Sequence, residues 1–175
     1  MLRILTRSRR VGTVTEAPPR CDDPDVDALG IQVRRVLTER FAGALAIRQV
    51  DAGSCNGCEL EIHALNNAFY DVERFGVHFV ASPRHADALL VTGPVSRHME
   101  TALRRTYEAT PAPRMVIAAG TCACDGGEFG VSYASCGAVA NVIPVDVTVP
   151  GCPPTPEALL RGILRATEGR SRGRR

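Results

Sequence analysis

Four cysteines whose spacing suits a metal centre are the most informative feature of this sequence. They are Cys55, Cys58, Cys122 and Cys152, spaced C-x2-C-x63-C-x29-C, and each lies one or two residues after a glycine. Four cysteine thiolates can bind a single zinc ion or a [4Fe–4S] cluster. The spacing therefore indicates a metal centre that takes its ligands from three separate loops.

Other interpretations of these cysteines stay open on the residues alone. The Cys55/Cys58 pair is also typical of a thioredoxin-like redox motif, and four thiolates also suit a zinc-stapled domain without redox activity. Zinc sites usually contain two close pairs, whereas this sequence has one close pair and two single ligands. The other cysteines are interpreted as small buried hydrophobic residues, and they are Cys21, Cys124 and Cys136. Cys124 is also an alternative to Cys122 as a ligand, because it lies only two residues further on.

Length, charge and cysteine count exclude several classes of protein. Seven cysteines in 175 residues is an odd number, which argues against a fully paired disulfide framework and favours metal binding in a reducing compartment. No apolar run approaches the roughly 20 residues of a membrane span, and residues 1–5 are too short for the apolar core of a secretory signal. A net charge of +2 gives no indication of nucleic-acid binding. The sequence predicts a cytoplasmic protein without a nucleic-acid partner.

Strand-like and helix-like segments alternate along most of the chain. Strands are predicted at residues 46–50, 77–80, 88–92, 114–119 and 142–149. Helices are predicted at residues 25–46, 59–70, 97–109 and 156–167, the last with Pro156 in its first position. This alternation predicts an α/β fold with an open parallel sheet and crossover helices. Because the cysteines follow predicted strands, their loops are expected at the carboxyl edge of the sheet, where ligands of such folds bind.

Several local expectations follow from the same pattern. Gly57 is expected to let the backbone turn tightly between Cys55 and Cys58. The helix that follows is expected to point its N-terminus, with its partial positive charge, at the metal centre. Ile31 and Leu60 are assigned to the packing faces of their helices. Among the histidines, a core position is predicted for His78, and exposed positions are predicted for His85 and His98.

Three segments with different roles are predicted. Residues 1–47 are interpreted as a basic amphipathic arm, a Pro-rich linker and a helix, and the arm could contact an anionic membrane surface or a membrane subunit. Residues 48–168 are interpreted as the metal-binding α/β domain. Residues 169–175 are rich in arginine and glycine and are predicted to be a disordered tail.

Several sequence blocks resemble one known family. The blocks are residues 51–61, 72–76, 82–94, 143–146 and 150–156. Together they resemble the small subunit of the group 4 membrane-bound [NiFe] hydrogenases, including the formate hydrogenlyase type, which is related to the 20 kDa subunit of respiratory complex I. The resemblance covers residues 49–167, about two thirds of the chain.

The resemblance implies a fold, a cofactor and partners. It implies a flavodoxin-like domain that holds one [4Fe–4S] cluster on Cys55, Cys58, Cys122 and Cys152, nearest the active site of a partner large subunit. The implied partners are a hydrogenase-like or complex I-like large subunit, a ferredoxin-like two-cluster subunit and the membrane subunits of the complex. The implied location is the inner face of the cell membrane, where the chain is peripheral. Complex I subunits usually have two adjacent cysteines at the first position, so the Cys55-Asn-Gly-Cys58 spacing favours the hydrogenase branch.

The predicted function is therefore electron transfer inside an oxidoreductase complex, without catalytic residues in this chain. The sequence contains neither the C-x2-C-x2-C-x3-C-P run of two-cluster ferredoxins nor the G-x-G-x-x-G of dinucleotide-binding proteins. Arg84 is a candidate for tuning the cluster from outside its ligand shell, and a surface pair with Asp87 is the alternative. Glu61 is a candidate for relaying protons next to the cluster, and a polar position at a subunit interface is the alternative. The alternative functions are a complex I-type quinone oxidoreductase subunit and a zinc-stapled scaffold without redox activity.

Overall fold

The chain folds around a parallel sheet of five strands. The computed structural model describes Thr6 and residues 24–169. The strands are β1 (Leu45–Asp51), β2 (Val77–Phe79), β3 (Ala88–Thr92), β4 (Met115–Ala119) and β5 (Val147–Val149). They lie in the order β2-β1-β3-β4-β5, and each neighbouring pair is parallel.

Helices cover both faces of this sheet. In the described part of the chain the α-helices are α1 (Pro24–Arg40), α2 (Gly57–Ala64), α3 (Arg97–Ala109), α4 (Thr121–Asp125) and α5 (Pro156–Glu168). Short 3-10 turns occupy Val72–Phe75, Pro83–His85, Gly127–Phe129 and Val139–Asn141. One apolar layer contains side chains of α1, α2 and α5, and the layer on the other face contains Leu103 of α3. The central strands β3 and β4 are buried along their whole length.

The strand order confirms the predicted fold class. The order 2-1-3-4-5 is that of flavodoxin-like doubly wound sheets, in which the direction of winding changes between β1 and β3. Ligands of such sheets bind outside the carboxyl ends of the strands near that change. Pro156 is the first residue of α5 and Thr155 caps it, because the Thr155 side chain accepts a hydrogen bond from Ala158 N.

The predicted helix over residues 25–46 is too long, because α1 ends at Arg40. Gly43 N donates to Leu37 O at 2.9 Å, which closes the last turn. Ala42 and Gly43 both have left-handed backbone conformations, with φ of 55° and 88°. A left-handed residue just after the last turn is a common way for helices to end.

The predicted helix over residues 59–70 is also too long, because α2 ends at Ala64. The Asn67 side chain interrupts it: its Oδ1 accepts from Phe69 N at 2.8 Å and from Tyr70 N at 2.9 Å. An asparagine that bonds nearby backbone in this way competes with the helical pattern.

The predicted extended segment over residues 142–149 contains a strand only at its end, in β5. Pro144 has no amide hydrogen to donate to a neighbouring strand. Asp146 Oδ2 accepts from Val116 N at 2.8 Å, so a side chain takes the place of a strand partner there.

The exposure of several side chains also differs from the predictions. Ile31 and Leu60 are each 64% exposed, because their helices pack through other residues, such as Leu37 and Ile62. His78 is exposed as well, since β2 is an edge strand and its outward-facing position is open to solvent. His85 and His98 are exposed, as predicted.

Helix α1 lies against α5, and both contribute to the same apolar layer as the sheet. The boundaries of the predicted segments 1–47, 48–168 and 169–175 stay predictions. The predicted basic arm, Cys21 and the arginine-rich end of the tail lie outside the described residues. Among the residues that are described, no helix is both long enough and apolar enough to cross a bilayer.

Close packing between α5 and β5 gives a first testable prediction. A Cβ built on Gly162 would lie 2.3 Å from Val149 Cγ2. Val149 is β-branched and has little freedom to move away. We expect Gly162→Ala to lower the free energy of unfolding by about 1–3 kcal/mol, although alanine favours helices. Denaturant unfolding measures the change, and Gly169→Ala is the control, because a Cβ there meets nothing within 4 Å. An unchanged midpoint for Gly162→Ala would contradict this account.

Candidate metal centre

Three cysteine-bearing loops leave the sheet at the same level. The last residues of β1, β3, β4 and β5 are consecutive register partners, and they are Asp51, Thr92, Ala119 and Val149. Cys55 follows β1, Cys122 follows β4, and Cys152 follows β5. The carboxyl edge of the sheet therefore brings together residues that are far apart in the sequence.

The four thiols at this edge are close enough to influence one another. The pKa of Cys58 is raised to about 11, mainly by burial, then by the Glu59 carboxylate, and then by Cys55, Cys122 and Cys152. Burial also raises the pKa of Cys122, with further contributions from Cys152 and Cys55. The four cysteines predicted as ligands thus form one group. Cys55 and Cys152 are exposed, and Cys58 and Cys122 are half-buried.

Cys124 and Cys136 are placed differently from this group. The Cys124 thiol donates to Ala118 O at 3.6 Å, and burial is the main cause of its raised pKa. Of the four grouped cysteines, only Cys122 contributes to that pKa. Cys136 is buried, and its thiol donates to Glu100 Oε2 at 3.3 Å. Cys136 fits the interpretation of a small buried residue, whereas Cys124 is half-buried and is set apart by its hydrogen bond to Ala118 O.

The loop between β1 and α2 is held by hydrogen bonds to its own side chains. Asp51 Oδ1 accepts from Gly53 N and Ser54 N, both at 2.8 Å, and Ser54 Oγ accepts from Asn56 N at 3.1 Å. Asn56 has a left-handed conformation with a φ of 71°, and α2 begins at Gly57. The prediction that Gly57 makes the tight turn is therefore wrong, because the unusual conformation belongs to Asn56. Helix α2 begins between the paired cysteines, two residues before the predicted start at Glu59.

Gly120 gives the Cys58 thiol room beside the next loop. It has a φ of 92°, and a Cβ built on it would lie 2.5 Å from Cys58 Sγ. Thr121, the next residue, joins the Cys122 loop to the Cys152 loop: Thr121 N donates to Gly151 O at 2.8 Å, and its hydroxyl donates to the same oxygen at 3.2 Å. The positions of three cysteines therefore depend on Gly120 and Thr121, the two residues that directly follow β4.

Four cysteine thiolates are a donor set that a zinc ion or a [4Fe–4S] cluster can use, and the two differ in how far apart the sulfurs lie. A zinc ion needs all of its thiolates within about 2.3 Å of a single atom. In the part of the chain that the structure describes, no group of three His, Cys, Asp or Glu side chains is placed to hold one metal ion. A [4Fe–4S] cluster takes one thiolate at each iron, so its ligand sulfurs lie farther apart around a larger body.

The two other predicted site residues differ in their positions. Arg84 lies in the turn Pro83–His85, before β3, and is exposed. Ala46 N bonds to Asp87, which places this turn near the beginning of β1, about 16 Å along the strand from its end at Asp51. The structure does not bring Arg84 to the cysteine edge. Glu61 is half-buried on α2, three residues after Cys58.

Glu59 was not singled out by the sequence, although it is the buried carboxylate of this edge. It is only 6% exposed. Its Oε2 accepts from Ser54 Oγ at 2.6 Å, and its Oε1 accepts from the Thr92 hydroxyl. A glutamate early in a helix usually faces solvent, so sequence position alone gave no signal of its burial.

The comparison with known families settles the relationship of the chain. Residues 55–166 match the family described as NADH ubiquinone oxidoreductase, 20 Kd subunit. The chain belongs to this family. The matched residues include all four grouped cysteines, and they cover more than half of the chain. The predicted resemblance is therefore confirmed.

The relatives of the chain include hydrogenase subunits and quinone oxidoreductase subunits. It is 52% identical to the probable membrane-bound hydrogenase subunit mbhJ of Pyrococcus furiosus, over 68% of this chain and 71% of that one. It is 42% identical to formate hydrogenlyase subunit 7 of Escherichia coli, over 80% of this chain and 59% of that protein. It is 51% identical to an NADH-quinone oxidoreductase subunit of Desulfovibrio desulfuricans, over 63% of this chain and 60% of that protein. The chain thus spans only about three fifths of the length of the Escherichia coli and Desulfovibrio desulfuricans proteins.

Solved structures resemble the chain in the same way. A chain of the membrane-bound sulfane sulfur reductase, an archaeal respiratory membrane complex, matches with a TM-score of 0.62 and 38% identity, over 71% of this family member and 69% of that chain. A chain of an NAD+-reducing [NiFe]-hydrogenase matches with a TM-score of 0.56 and 20% identity, over 75% of this chain and 96% of the hydrogenase chain. The second likeness shows the fold alone.

Proposed function

We propose that this chain is the electron-transfer subunit of a hydrogenase-like, membrane-associated oxidoreductase complex. In this proposal Cys55, Cys58, Cys122 and Cys152 hold one [4Fe–4S] cluster, nearest the active site of a partner large subunit. The observation that carries the proposal is the grouping of these four thiols at one level of the sheet edge. The family and its hydrogenase relatives support it.

The residues of this chain have binding and orienting roles. When bound, a [4Fe–4S] cluster supplies one-electron transfer. The half-buried Cys58 and Cys122 lie on the protein side of the site, and the exposed Cys55 and Cys152 lie on its open side. Helix α2 begins at this edge, and its free amide groups favour the negative charge of a thiolate-bound cluster. Burial raises the pKa of Cys58, so metal binding has to remove a firmly held proton.

A partner large subunit would cover the open side of the site. Large apolar side chains are exposed in the segments that follow Cys58 and Cys122 in the sequence, and they are Leu60, Phe129, Val131 and Tyr133. Leu60 is two residues after Cys58, and the other three follow the Cys122 loop. Exposed large apolar side chains support a protein interface in these segments. The remaining partners in the proposal are a ferredoxin-like two-cluster subunit and the membrane subunits, at the inner face of the cell membrane.

A complex I-type quinone oxidoreductase is the second candidate. The observation in its favour is the 51% identity to the NADH-quinone oxidoreductase subunit of Desulfovibrio desulfuricans. The two residues between Cys55 and Cys58 favour the hydrogenase branch, because complex I subunits usually have adjacent cysteines there. In both cases this chain transfers electrons and contributes no catalytic residue of its own.

Anaerobic purification with the co-purifying subunits tests the proposal. We expect an EPR signal of a reduced [4Fe–4S] cluster after dithionite treatment, with iron at about four atoms per chain. Nickel in the same sample identifies a hydrogenase, and its absence with quinone reductase activity identifies the second candidate. Stoichiometric zinc without the EPR signal would overturn the proposal in favour of a structural zinc domain.

A further inference from the structure

β3, the strand between β1 and β4, is not followed by a cysteine, unlike those two neighbours. Its last residue, Thr92, is fully buried and in register with Asp51 and Ala119. Gly93 follows, and a Cβ built on it would lie 2.5 Å from Ser54 N. The end of β3 is therefore in direct contact with the loop that carries Cys55.

The Glu59 carboxylate connects these two segments. One oxygen accepts from Ser54 Oγ at 2.6 Å, and the other accepts from the Thr92 hydroxyl. Ser54 Oγ in turn accepts from Asn56 N, the residue after Cys55. A single buried side chain next to Cys58 thus joins the Cys55 loop, the first turn of α2 and the end of β3.

We propose that Glu59 is a positioning residue that sets the distance and orientation of the Cys55 and Cys58 thiolates relative to the rest of the sheet edge. This inference rests on the proposed function, since it concerns the ligands of the proposed cluster. On the β4–β5 side of the site, hydrogen bonds between Thr121 and Gly151 join the cysteine loops. Glu59 joins the segments on the β1–β3 side in the same way. It acts through Ser54 and Thr92 and is not itself a ligand.

Two substitutions separate positioning from charge. Glu59→Ala removes both hydrogen bonds, and the buried Thr92 hydroxyl then has only the more distant Val50 O, at 3.4 Å, as an acceptor, which is destabilising. Glu59→Gln keeps the shape, and its amide can still bond both hydroxyls, because a hydroxyl donates and accepts. Glu108→Ala removes one negative charge from an exposed position on α3 and is the matched control.

The test measures cluster retention in the intact purified complex. Loss of protein support around metal ligands typically weakens metal binding 10- to 100-fold. For Glu59→Ala we expect cluster loss to a chelator to be about tenfold faster, with altered g values in the reduced EPR spectrum. Glu59→Gln and Glu108→Ala should keep the wild-type rate and spectrum. Wild-type behaviour of Glu59→Ala, or equal damage from Glu59→Gln, would overturn the inference.

A double substitution and a cluster-independent measurement complete the test. Thr92→Val should speed cluster loss in the wild type and add little in the Glu59→Ala background, because both remove the same contact. Equal effects in the two backgrounds would overturn the inference. Hydrogen exchange of the amides of residues 54–58 should be faster in Glu59→Ala, whether or not a cluster is bound. If the wild-type complex has no cluster, the proposed function fails, and the exchange rates alone decide the role of Glu59.

Discussion

Cys122→Ala is expected to remove the cluster signal from the purified complex, whereas Cys124→Ala is expected to leave it intact. The two cysteines lie two residues apart on α4. The pKa of Cys122 is raised by Cys152 and Cys55, after burial, while the Cys124 thiol donates to Ala118 O within the fold. Only Cys122 belongs to the group of four thiols.

The size of this effect follows from the role of a ligand. Changes just outside a metal's ligand shell already cost 10- to 100-fold in affinity, so loss of a ligand should lower the iron content at least about tenfold. Iron analysis and EPR of the reduced complex measure it, and Cys152→Ala should behave like Cys122→Ala. Loss of the cluster in Cys124→Ala, with retention in Cys122→Ala, would transfer the ligand role to Cys124.

Gly120→Ala is expected to be nearly as damaging to the site as loss of a ligand. The new methyl group would lie 2.5 Å from Cys58 Sγ, a contact that real side chains do not make, so the thiol or the loop has to move. Gly120 has φ 92° and ψ 151°, a combination that is essentially restricted to glycine, so alanine there also costs about 1–3 kcal/mol in backbone strain. We expect the iron content of the complex to fall several-fold.

Gly43→Ala separates the methyl contact from the backbone strain. Gly43 has a similar φ of 88°, but a Cβ there meets nothing within 4 Å. This variant should lose some stability in denaturant unfolding because of its positive φ, and it should keep its full iron content. If the two variants lose iron to the same extent, general destabilisation and not the position of Cys58 is responsible.

The central elements of the fold were predictable because local signals and tertiary structure agree there. β3 and α3 have the predicted limits of residues 88–92 and 97–109. A wholly apolar run marks the buried strand, and Ser96 caps the helix by accepting from Met99 N. The ends of α1 and α2 were missed, because Ala42 and Asn67 end the helices through backbone conformation and side-chain bonds that apolar periodicity does not report.

The grouping of the four cysteines was predictable from the sequence, whereas the side chains that support their loops were not. Cysteines that follow strand ends are visible in the sequence, since parallel strands bring their ends to one edge. The support from Glu59 depends on Thr92, which lies 33 residues away and whose hydroxyl faces it only after β1 and β3 have paired. Arg84 was selected for its sequence block, but its turn precedes β3 and belongs to the other end of the strands.

The order of the cysteines along the chain has a consequence for biosynthesis. Cys152 is the last of the group, 97 residues after Cys55 (152 − 55), and it reaches the others only when β5 has paired with β4. At ribosomal rates of 5–20 residues per second, the Cys55/Cys58 pair waits about 5–20 s for its last partner. In the proposed function, all four ligands are in place only after β5 has been synthesised and has paired with β4, so iron and sulfide reach the complete site after the sheet has folded. Until then the Cys55 and Cys58 thiols need a reducing environment.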